Sequence, residues 1–146
     1  MIDVKDERGI TLPEIFITTA IAASLLLLSA EGFGAAITRT HGRAVSVELG
    51  GILRSARHAA MMERRTVQVS VDANGGGVDV TGAEAFGLRR YEFGSKGVTV
   101  ESISGGSTVT FYPSGRSASP TTILLANGRH ERWRITVGMT GRVVVH

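Results

Sequence analysis

The sequence predicts an α+β fold: a long N-terminal helix, then an antiparallel β head of about eight short strands in one or two sheets. Three observations predict it. Ile15 to Ala30 is an unbroken run of apolar and small hydroxyl side chains. Apolar residues then recur at three- and four-residue spacing as far as Ala60. From Arg65 the period drops to two, between turns marked by glycine and proline.

The N-terminal stretch comes first. Between Ile10 and Ala30 the one ionisable side chain is Glu14. At 1.5 Å per helical residue, positions 10–30 span about 31 Å, the thickness of a bilayer's hydrocarbon core. A carboxylate in that layer costs about 2.5–3.5 kcal/mol, so Glu14 needs a partner or a task. Pro13 fits a helix that starts at Ile10, because a first-turn residue has no helical partner for an N–H.

Helical periodicity resumes after Glu31-Gly32-Phe33-Gly34. Val45, Leu49, Ile52, Leu53, Ala56, Ala59 and Ala60 share one face, while Arg43, Arg54, Arg57 and His58 fall mostly elsewhere. One long helix from Ile10 to about Glu63 is expected, with Gly50-Gly51 as a point where it could break. The alternation of Val67, Val69 and Val71 with Gln68 and Ser70 then marks a half-buried strand. A turn at Asn74 to Gly77 and a short strand at Val78 to Val80 follow. Further strands are expected at 89–93, 98–102, 108–112 and 122–126. Asn127-Gly128 is a two-residue hairpin signal leading into a strand at 131–137. The last strand is 142–146.

Composition limits the chemistry. The chain has 146 residues, no cysteine and a net charge of +3. It is one domain plus an anchor, with no disulfide framework and no thiolate metal site. His41, His58, His130 and His146 lie on different elements, without paired spacing for a metal. Ser114 and Ser117 flank turns but lack a matching base. The Gly75 to Gly77 run precedes a strand, whereas a phosphate loop needs a helix. No cofactor and no enzymatic activity are expected.

The basic C-terminal region is the other candidate site. On a strand, His130, Arg132 and Arg134 share one face, and Trp133, Ile135 and Val137 the core side. Arg129 and Arg142 lie at nearby turns. The row reads either as a solvated face that blunts a sheet edge or as a contact for DNA phosphates or an acidic partner.

Gly9-Ile10-Thr11-Leu12-Pro13-Glu14 and the apolar run behind it resemble the type IV prepilin (class III) leader, with Ile10 where Phe is usual. The resemblance implies cleavage by a prepilin peptidase between Gly9 and Ile10, and N-methylation of Ile10. It implies that Glu14, the fifth mature residue, sets register by pairing with a mature α-amino group during assembly. That agrees with the physics of two charges relieving each other's desolvation in a low-dielectric layer.

The head has a pattern of its own. Ala56 to Arg65 leading into Val67-Gln68-Val69, the segment Phe111-Tyr112-Pro113-Ser114-Gly115-Arg116, and Gly138 to Val143 resemble GspH/FimT-type minor pseudopilins. The implied organisation is a leader at 1–9, a helix at 10–64 (10–30 in the membrane or filament core) and a pilin-like β head at 65–146. The implied function is that of a structural subunit of the type II secretion pseudopilus. It would be single-pass in the inner membrane, with its head in the periplasm. The implied partners are membrane lipid, the peptidase, other major and minor pseudopilins and the inner-membrane assembly platform. Two alternatives stand beside it: a minor type IV pilin in pilus assembly or DNA uptake, and a single-span membrane-anchored binding module. Some FimT-type proteins bind DNA through Gly-Arg-x-Arg. Here Val144 replaces the second Arg after Gly141-Arg142, and Glu131 replaces it after Gly128-Arg129, which counts against nucleic acid as a partner.

Overall fold

A computed structural model describes residues 11–74, 76–83, 87 and 90–146, without the side chains of 29–36 and 38. Of the expected turn at Asn74 to Gly77, Gly75 lies outside these residues, Asn74 and Gly76 are in a turn, and Gly77 opens the next strand. By internal contacts the chain divides into two units, Met1–Ala36 and Ile37–His146.

Helix α1 runs from Leu12 to Glu63. Its first turn closes on the Thr11 carbonyl, which accepts from the Glu14 and Ile15 amides at 3.0 and 3.2 Å. Pro13 thus sits where no helical N–H is missed. Thr18, Thr19 and Ser24 return their hydroxyls to carbonyls one turn back, which satisfies them in an apolar segment. The helix does not break at Gly50-Gly51. Gly50 lies beneath Val145, whose Cγ2 would be 2.6 Å from a β-carbon there, so close packing offsets the cost of glycine. The helix stops at Arg64, which takes the left-handed conformation (φ 52°) usually left to glycine.

Eight strands follow: β1 (Val67–Asp72), β2 (Gly77–Thr81), β3 (Arg90–Glu92), β4 (Val98–Ser104), β5 (Thr108–Phe111), β6 (Thr121–Asn127), β7 (Arg132–Val137) and β8 (Val143–Val145). They form two antiparallel sheets, in the orders β3-β2-β1-β5 and β4-β6-β7-β8. The α+β fold with an antiparallel head is thus as the sequence predicts, and the number of sheets is two. Val45, Leu49, Leu53, Ala56, Ala59 and Ala60 of α1 are fully buried in one core with Val67, Val69, Phe111, Ile123, Leu125 and Ile135. Each of the larger side chains contributes about 1.5–3 kcal/mol by leaving water.

Two local expectations are corrected. Asn127-Gly128 is not a two-residue hairpin. Asn127 ends β6, is buried, and accepts the Arg129 and Glu131 amides on Oδ1, both at 3.0 Å. That side-chain turn stretches the connection to four residues, and His130 rather than Gly128 takes the left-handed position (φ 62°). As a result His130 does not share a strand face with Arg132 and Arg134, because β7 begins only at Arg132.

Candidate functional site

Three regions hold the residues that the sequence singles out. At the N-terminus, Gly9 and Ile10 lie outside the described residues. Glu14 is exposed in the first turn of α1, and no ion pair reaches it among the described residues. Around it the helix is apolar on every side: Leu12, Ile15, Phe16, Ile17, Ile21 and Leu25 to Leu28 are all more than half exposed. A helix hydrophobic all round requires an apolar environment from outside its own fold. Among the described residues no helix is long and apolar enough to cross a membrane.

The second region is the C-terminal basic row. Arg132 and Arg134 face outward on β7, and Ile135 and Val137 are buried, with Trp133 half-buried on the same side. Arg132 is held by Glu101 at 2.5 Å. Glu101 is the extra residue of a bulge in β4, where the register against β6 shifts between Val100 and Ser102. Glu131 binds Asn127 at 2.9 Å and faces Arg39 at 3.7 Å. Within the row, Arg132 is thus neutralised by Glu101, while Glu131 is taken up by Asn127 and Arg39. Arg129 and Arg142 are exposed at turns. No group of three His, Cys, Asp or Glu side chains suited to a metal occurs among the described residues.

The third region joins segments far apart in sequence. Arg57 on α1 donates from Nε to the Gly115 carbonyl at 2.8 Å. Gly141 packs against the same carbonyl: a β-carbon there would lie 2.0 Å from it and 2.7 Å from Arg57 Nε. Both glycines have positive φ, 76° and 75°. The Phe-x-Pro-x-Gly and Gly-Arg segments therefore meet over one arginine at the end of the helix. Phe111 is core, and Pro113 to Gly115 is a turn closed by the Gly115 amide on Tyr112.

A family model for type II transport protein GspH matches residues 46–141, the stretch that contains this clasp. The chain belongs to the GspH family. GspH-family chains are structural pseudopilins, membrane-associated and assembled with other pseudopilins. Comparison with curated proteins gives no match. Among solved structures, the GspH-family fold seen here is similar to the type IV minor pilin FimU of Pseudomonas aeruginosa, with 19% identity, 74% of this chain, 90% of that one and a TM-score of 0.61. It is also similar to the minor pseudopilin EpsH from the Type 2 Secretion System of Vibrio cholerae, with 13% identity, 73% of this chain, 96% of that one and the same TM-score of 0.61.

One further cluster in this chain is not visible from sequence spacing. Tyr91 Oη donates to Glu48 Oε2 at 2.5 Å, and Lys96 Nζ reaches that oxygen at 3.2 Å and the phenol at 3.1 Å. The Lys96 ammonium also stands 5.1 Å from the Tyr91 ring centroid. The Tyr91 bond holds the Glu48 carboxyl below its ordinary 4.5. Burial pushes the Tyr91 phenol up, and the Tyr91 contact raises Lys96. This cluster ties edge strand β3 and the 3₁₀ turn Gly94–Lys96 to α1.

Proposed function

We propose that this chain is a non-catalytic minor pseudopilin of a type II secretion pseudopilus. Its precursor is cut between Gly9 and Ile10 by a prepilin peptidase and methylated on Ile10. The apolar part of α1 holds the subunit in the inner membrane, with the β head in the periplasm, and then packs against neighbouring helices in the filament. The assembly platform of the inner membrane drives that transfer. One observation carries the proposal: Glu14 is the lone carboxylate in the apolar, exposed stretch from Leu12 to Leu28 of α1, a helix that leads into a GspH-family head. A neighbour's α-amino group is the cation that would relieve the carboxylate's desolvation and fix axial register.

The likeness to FimU favours a second reading, a minor subunit of a type IV pilus. Removing the chain from its cells tests the choice. Loss of secreted proteins from the medium with pili intact is expected. Loss of pili with secretion intact would favour the second reading.

A further inference from the structure

At the end of α1 the fold brings exposed apolar side chains together. Met61 packs beside Gly115, its Sδ lying 2.7 Å from where a β-carbon would stand. Tyr112 opens the turn that Gly115 closes, and the Met139 carbonyl accepts the Ser117 amide at 3.1 Å. These three are 38%, 44% and 48% exposed. Arg116 and Arg142, both exposed, flank them and have no ion-pair partner among the described residues. The nearest acid along the helix, Glu63, is already paired with Arg65. The clasp of Arg57, Gly115 and Gly141 fixes both loops, so the patch is preorganised.

We propose that this patch docks an acidic surface with an apolar anchor, carried by a neighbouring pilin-like subunit. The proposal rests on the pseudopilin reading and adds the surface and the chemistry of its partner. Methionine, tyrosine and arginine are the residue types that interfaces concentrate, and methionine adapts to irregular contacts. The flanking charge is positive and unneutralised, which selects an acidic partner. DNA would use the arginines but leave the methionines and the tyrosine unspent.

The test uses the full chain in cells, with a photo-crosslinking amino acid at Tyr112, Met139 or, as control, Ser95 on the 3₁₀ turn. The expected adduct from Tyr112 and Met139 joins a second subunit that has its own apolar N-terminal helix, at a site flanked by acids. Arg116→Glu with Arg142→Glu should cut its yield about tenfold, through repulsion of the acidic partner. Both arginines are exposed, so an unchanged melting temperature shows that the variant folds. Adducts to DNA, equal yield from Ser95, no adduct, or yield unaffected by charge reversal would each overturn the docking surface. The amino terminus of the same sample separates the two ideas. Ile10 at the terminus without the adduct sinks only the docking surface. Met1 at the terminus with the adduct sinks only the pseudopilin reading.

Discussion

A β-carbon on Gly42 would lie 2.1 Å from Cη2 of Trp133. The indole of β7 therefore sits directly on the helix backbone, with buried Ser46 one turn on and Gly50 under Val145 after that. The small residues at 42, 46 and 50 let the β7–β8 edge of the second sheet approach α1. Gly42→Val should destabilise the head by about 1–3 kcal/mol, through overpacking that the gain in helix propensity only partly offsets. Thermal melts of the full chain in detergent check this. Trp133→Leu in the same chain should recover part of the loss, because it removes the ring that a β-carbon meets.

Gly141→Ala adds a clash with backbone to a positive φ. It should cost about 3 kcal/mol and release Arg57 from Gly115. Gly128→Ala is the control, since a β-carbon there meets nothing within 4 Å, and it should stay within about 0.5 kcal/mol of the parent. Equal effects at the two positions would show that the clasp does not stabilise the head.

The Glu48–Tyr91–Lys96 cluster predicts a pH window. Glu48 has a lowered folded pKa, so its contribution is present above 4.5 and lost as pH falls through the folded value. Tyr91 and Lys96 have raised values, so theirs is full below 10.0 and 10.5 and lost as pH rises through the folded values. The effect is modest, because the pair is solvent-screened. Tyr91→Phe should flatten the acid limb of a melting-temperature profile, since the phenol is the main cause of the Glu48 shift. An acid limb unchanged in that variant would contradict the assignment.

Glu14→Ala should leave the protein inserted and processed while its share in the assembled filament falls about tenfold, the loss of one desolvated charge pair. Quantitative blotting of sheared filaments against membranes measures it. Parental incorporation would rule out a role in register.

Much of this fold is legible in the sequence, because its elements carry strong local periods. Val67, Val69 and Val71 give β1, and the buried stripe from Val45 to Ala60 gives the second half of α1. Pairing is not legible. β1 lies between β2 and β5 because of contacts across some forty residues, and alternation names a face rather than a neighbour. Gly50 reads as a helix breaker until Val145 is seen above it. Asn127 reads as a tight turn until its side chain is seen to take two amides. Arg57, Tyr91 and Lys96 carry no local signal, since their partners come from other elements. The motif segments around Gly115 and Gly141 were visible one by one, but not their meeting.

On the proposed reading, a precursor cut behind Gly9 becomes an assembling subunit through Glu14. Mass analysis of the amino terminus of the protein taken from its cells tests it most directly. N-methyl-Ile10 is expected as the first residue, with a precursor about nine residues heavier when Gly9→Ala blocks the cut. A functional protein that still begins at Met1 would contradict it.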